Sequence, residues 1–108
     1  MESQFGEKIR TLRENQGLFL RQVAPQLDMD NAQLRKIEKG LRLMRREQIP
    51  VIAQILKADK DELLTLWLAD QVYEVVQFEN LALKAMKVAG EKIKYENSKE
   101  KINKWQLK

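Results

Sequence analysis

Between Leu18 and Gly40 the chain reads LFLRQVAPQLDMDNAQLRKIEKG, and no other stretch restricts its fold as tightly. Val23, Ala24 and Leu27 form one apolar group and Leu34 and Ile37 another, each at helical spacing, with Met29 between them and also expected to point inward. Asp28-Met29-Asp30 supplies a tight polar turn, and Asp28 falls where the chain must reverse, a place where an Asx residue tolerates positive φ. Asp30 is set to cap the second helix, Gln33 three residues on completes the capping-box spacing, and Gly40 stops a helix expected over Asn31–Lys39. The first helix, expected over roughly Leu20–Leu27, starts badly because Phe19 offers no acceptor to its free amides. Pro25 lies beyond its first turn, where the ring conflicts with the carbonyl of Arg21, so this helix is expected to be short or kinked.

Two short helices across such a turn describe a helix-turn-helix, whose second helix enters the DNA major groove. In that geometry Asn31, Ala32, Gln33, Arg35 and Lys36 face outward as base-contacting candidates. Asn and Gln can bond adenine N6 and N7 together, Lys and Arg can bond guanine O6 and N7, and Ala32 can touch a thymine methyl. Gln33 is alternatively the capping-box partner, and Arg35 alternatively lies on the flank beside solvent or phosphate, so the reading rests mainly on Asn31, Ala32 and Lys36. Within residues 35–46 six basic side chains face only Glu38. Runs of charge are commonly just a solvated surface, but beside this helix the expectation is that Lys39, Arg42, Arg45 and Arg46 hold phosphates without reading sequence.

The rest of the chain is helical in pattern, with no strand-like alternation, so the fold class is all-α: a five-helix domain with a C-terminal helical extension. Helix one is expected from about Ser3 to Gln16, with Phe5, Ile9, Leu12 and then Leu18 inward and Gly17 in a left-handed cap position. Helix four lies within Arg45–Lys57, with Ile49, Ile52, Ala53 and Leu56 inward and Pro50 near its first turn. Asp59 with Glu62 has capping-box spacing and opens helix five. The 108 residues contain no Cys and no His, which excludes disulfides and thiolate or imidazole metal sites. No loop motif is present to hold a carboxylate-only metal site or to cradle a phosphate, so neither metal, cofactor nor enzymatic activity is expected. The longest apolar stretch, Leu63–Ala69, falls well short of the ~20 residues that span a bilayer. No membrane association is expected, the N-terminus lacks a signal-peptide apolar region, and a cytoplasmic location follows.

Helix five is apolar nearly all round, through Leu63, Leu64, Leu66, Trp67, Leu68, Val72, Val75 and Val76. A helix hydrophobic on every face needs cover on every face. Either the following segment folds back over it or a second copy of the chain does. The homodimer is the expected solution, with Leu66, Trp67, Val72, Val75, Val76 and, from a sixth helix beginning near Asn80, Met86 at the interface. Ala82, Ala85, Ala89 and Ile93 share the stripe of Met86. Residues 71–108 carry eight Lys against five Glu, with Tyr95, Ile102 and Trp105 at helical intervals. That tail can be a docked helix, a frayed end or a nonspecific DNA-binding arm. The chain thus divides into a DNA-binding part, 1–68, and a dimerisation segment with Lys-rich tail, 69–108. A competing reading is an antitoxin or adaptor that holds a small protein partner through Tyr95, Trp105 and the tail.

Phe5-Gly6-x-x-Ile9-Arg10-x-Leu12-Arg13, Gly17-Leu18, Val23-Ala24-x-x-Leu27, Asp30 and Ile37-Glu38-Lys39-Gly40 together resemble the Cro and phage-repressor (Xre-type) helix-turn-helix family, as do Ile52-Ala53-x-x-Leu56 and Asp61-Glu62-Leu63-Leu64. The resemblance covers about residues 5–68. With LRQVAPQLDMD and ELLTLWLAD, the chain is also similar to regulators found beside DNA methyltransferases in restriction–modification systems. It implies a transcriptional regulator binding double-stranded DNA as a dimer, and a buried structural ion pair between Arg13 and Glu38. The family has Thr or Ser and then Gln where this chain has Phe19 and Leu20; the phosphate contact of that Gln would pass here to Arg21 or Gln22. The family's turn glycine is Asp28 here, and neither proline is typical.

Overall fold

The computed structural model of the chain describes residues 3–106, and side chains for residues 3–99. Ile102 and Trp105, which the sequence reading gave a role in the tail, have side chains outside the described residues. The elements are α1 (Gln4–Asn15), α2 (Leu20–Val23) running into a 3₁₀ turn (Ala24–Leu27), α3 (Asn31–Glu38), a second 3₁₀ turn (Arg46–Gln48), α4 (Ile49–Ile55), α5 (Lys60–Val76) and α6 (Ala82–Gln106). The fold is all-α, with no strand among the described residues. Among the described residues no helix is long and apolar enough to cross a membrane.

Local chemistry accounts for where these helices begin and end. Pro25 has no N–H to give the carbonyl of Arg21, and there the chain tightens from α to 3₁₀. Asp28 follows at φ 54°, with its successor Met29 donating back to the Ala24 carbonyl at 3.2 Å. The same six-to-one closure recurs after α1, α3 and α4, around Gly17, Gly40 and Lys57, all at positive φ. Asp30 caps α3: its Oδ1 accepts from the Gln33 N–H at 2.8 Å while Gln33 Oε1 accepts from the Asp30 N–H at 3.2 Å. Pro50 occupies the first turn of α4, where no intrahelical donor is lost. One expected cap differs. Asp59 accepts from the Asp61 N–H at 3.0 Å, and Glu62 turns away to pair with Lys8 at 3.2 Å rather than closing a box.

The buried core joins Phe5 and Ile9 of α1 to Val23, Ala24 and Leu27, to Leu34 and Ile37 of α3, to Ile49, Ile52, Ala53 and Leu56 around α4, and to Leu63 and Trp67 of α5. Met29 is only partly buried against it. Met44, in the segment between α3 and α4, is also buried, and its carbonyl accepts from the Trp67 indole at 2.7 Å. Trp67 is only 8% exposed. The expectation that it faces a second subunit is therefore corrected: its ring completes the domain's own core, and its N–H is already satisfied.

The first turn of α1 is secured from far along the chain. Asp70 of α5 accepts from the Ser3 hydroxyl at 2.6 Å and from the backbone N–H groups of Gln4 and Phe5 at 3.0 Å each. Those amides have no partner within their own helix, so the carboxylate of α5 satisfies them. Backbone proximity divides the chain into two units, Met1–Glu74 and Val75–Lys108. The first holds the whole core. In the second, the residues of α6 up to 99 are exposed except for Ala82 and Gly90, which are half-buried.

Candidate nucleic-acid interface

α3 is divided sharply between its two faces. Leu34, Ile37 and Glu38 are buried, whereas Asn31, Ala32, Arg35 and Lys36 are exposed. Ala32, Arg35, Lys36 and Lys39 follow the i, i+3, i+4, i+7 spacing, so the polar side chains lie along one outward face. Gln33 is half-buried, and its Oε1 is engaged with the Asp30 backbone. It keeps its amide NH₂ group free to donate, which suits an acceptor edge better than the two-way bonding that adenine requires.

Two anchors hold α3 in this attitude. Arg13 Nε donates to Glu38 Oε2 at 2.7 Å and Nη2 to Oε1 at 3.0 Å, and Nη1 donates to the Leu18 carbonyl at 2.8 Å. The Glu38 hydrogen bonds outweigh the opposing effect of burial and raise the Arg13 pKa above its ordinary range. The second anchor is close backbone approach. A Cβ added at Gly6 would lie 2.5 Å from the Glu38 carbonyl oxygen and 2.6 Å from that of Ile37, a space only glycine fits.

The cations expected to meet phosphate follow this helix in the chain. Lys39 closes α3, and Arg42, Arg45 and Arg46 follow in the segment leading to α4; all four are exposed. Arg45 has a loose ion pair with Glu47 at 3.7 Å, and Gln48 fixes this segment by accepting from the Arg45 N–H at 3.1 Å and donating to the Leu27 carbonyl at 3.1 Å. A cleft of about 280 Å³ opens here, lined in part by Asp28, Gln33, Arg42 and Arg45, so that Gln33 shares one concavity with two of the cations, while Asn31, Ala32, Arg35 and Lys36 lie outside it. On α2, Arg21 and Gln22 are exposed, but Gln22 Oε1 accepts from the Phe19 N–H at 2.7 Å. Sequence reasoning missed Met44 and Gln48, which brace the cationic segment from beneath. A backbone carbonyl that anchors an indole leaves no signature in the residue that carries it.

The expected self-association residues do not form one set. Leu66 is half-buried against the core alongside Trp67. Val72 and Val75 are exposed, Val75 at 79%, with Val76 half-buried, and Met86 is exposed on α6. Leu68, one turn before Val72, is exposed as well.

A family model described as a helix-turn-helix domain matches residues 4–66. No curated protein and no solved structure matches the chain.

Proposed function

The chain belongs to the helix-turn-helix family of DNA-binding domains, and from that premise we propose that it is a sequence-specific transcriptional regulator of the Cro and phage-repressor type. It binds double-stranded DNA as a homodimer on a near-palindromic operator, using residues 1–68 for DNA and residues 69–108 for self-association. The observation that carries this reading is the two-faced α3, whose core side is locked by Arg13–Glu38 while Asn31, Ala32, Arg35 and Lys36 stand free in solvent. Asn31, Ala32 and Lys36, with Arg35 and the Gln33 amide donor, meet base edges, where each well-placed bidentate pair contributes roughly 1–3 kcal/mol of discrimination. Arg21, Gln22, Lys39, Arg42, Arg45 and Arg46 hold the backbone.

The division of roles has a direct test. Titrating Lys36→Ala and Arg46→Ala against an operator duplex and a random duplex separates base reading from phosphate holding. Lys36→Ala is expected to weaken operator binding more than random binding, and Arg46→Ala to weaken both alike; equal losses for both variants on both duplexes contradict the assignment.

A second reading draws support from exposed apolar side chains beyond the domain core, among them Phe78, Leu81, Leu83, Val88, Ile93 and Tyr95. Such a surface also suits an antitoxin or adaptor that holds a small protein partner. Sedimentation of the purified chain separates the two: a dimer without any other protein supports self-association, and a monomer supports a foreign partner.

A further inference from the structure

At the start of α2 stands a pair that the fold does not require. Phe19 is 56% exposed, outside the core, and the guanidinium carbon of Arg21 lies 4.4 Å from the centroid of its ring. The Phe19 N–H is bonded to Gln22 Oε1, which holds the backbone bearing the ring in place. Among the described residues no carboxylate lies within ion-pair distance of Arg21. The guanidinium therefore lies over the aromatic ring with its N–H groups unclaimed by any acidic side chain among the described residues.

We propose that Phe19 is a positioning residue for DNA binding: its ring holds Arg21 as a pre-ordered clamp for one backbone phosphate beside α2. The proposal rests on the DNA-binding reading above. In a helix-turn-helix the first helix of the pair crosses the phosphate backbone, and Arg21 lies within its first turn. A free arginine gives up rotamer freedom when it is ordered at a phosphate, and one already stacked has given up part of it before binding. The planar fork can meet two phosphate oxygens while its face stays on the ring, which an ammonium cannot do. Phe19 thus takes a place in phosphate binding although it carries no polar side-chain atom. Local packing at a poorly capped helix start is the competing explanation, and it needs the ring but not the guanidinium.

Binding of the full chain to a random-sequence duplex, followed by fluorescence anisotropy over a series of salt concentrations, decides between them. Arg21→Ala is expected to weaken binding and reduce the salt slope by about one, as the loss of one phosphate contact requires. Phe19→Leu keeps the charge and the slope but binds about two- to fivefold more weakly, the fold-change matching a cation–π stack at an exposed site. Phe19→Tyr restores the ring and recovers the loss, whereas Arg21→Lys, with the ring untouched, remains weakened. Wild-type binding by Phe19→Leu, or full binding by Arg21→Lys, overturns the clamp alone. Absence of any salt-dependent binding by the unsubstituted chain overturns the DNA-binding reading and the clamp with it.

Discussion

The guanidinium of Arg13 donates to both oxygens of Glu38 and to the Leu18 carbonyl, so one side chain ties α1 to α3 and to the segment entering α2. Both partners are largely withdrawn from water, and removing one leaves a buried charge uncompensated. Glu38→Ala is therefore expected to cost about 3–5 kcal/mol in denaturant unfolding, and Glu38→Gln, which keeps an acceptor, distinctly less. A loss below about 1 kcal/mol for Glu38→Ala, the range of an exposed pair, contradicts this account. Because the folded state raises the Arg13 pKa, its contribution is complete below the ordinary guanidinium range and fades only as pH climbs through the raised value. Neutral conditions leave it untouched. These two residues were reached through family resemblance, since periodicity alone does not reveal which two distant charges meet. Trp67 shows the opposite case. An indole suits a subunit interface and a core equally well, and here a single carbonyl, that of Met44, settles its place.

At the scale of helices, the chain stops each of four segments by the same left-handed closure, at Gly17, Asp28, Gly40 and Lys57. The two glycines and the aspartate were legible, because each residue type tolerates that conformation. Lys57 was not, because nothing in a lysine favours positive φ. The capping box of Asp30 and Gln33 was legible from local spacing, as was the effect of Pro25 on α2. The Asp70 cap on α1 was not, because a bond spanning 67 residues depends on tertiary structure alone. The contact of α1 with α3 yields a sharper prediction. Gly6→Ala places a methyl against two backbone carbonyls that cannot rotate away, so α1 must shift from α3 and strain the Arg13–Glu38 bonds. A destabilisation of about 1–3 kcal/mol or more is expected, read as a lowered melting temperature. An unchanged melting temperature means that the helices do not approach this closely.

For the molecule as a whole, the net charge of +4 matters less than the crowding of Arg35, Lys36, Lys39, Arg42, Arg45 and Arg46 into residues 35–46. The all-α architecture and the core positions on α1, α3 and α4 follow from periodicity, caps and breakers, whereas the burial of Met44, Gln48 and Trp67 does not. What lies against the remaining apolar side chains does not, because periodicity marks a side chain as apolar without naming its neighbour. Leu68, Val72 and Val75 stay exposed on α5, as do Leu81, Leu83 and Val88 beyond it. The proposed dimer presents α3 twice, and two such helices reach successive major-groove faces when the half-sites lie about 34 Å apart. Selection of bound duplexes from a random pool by the full chain tests this most directly. The account predicts enrichment of a near-palindromic motif whose two halves are separated by about one helical turn. A pool that stays random in sequence after selection contradicts it.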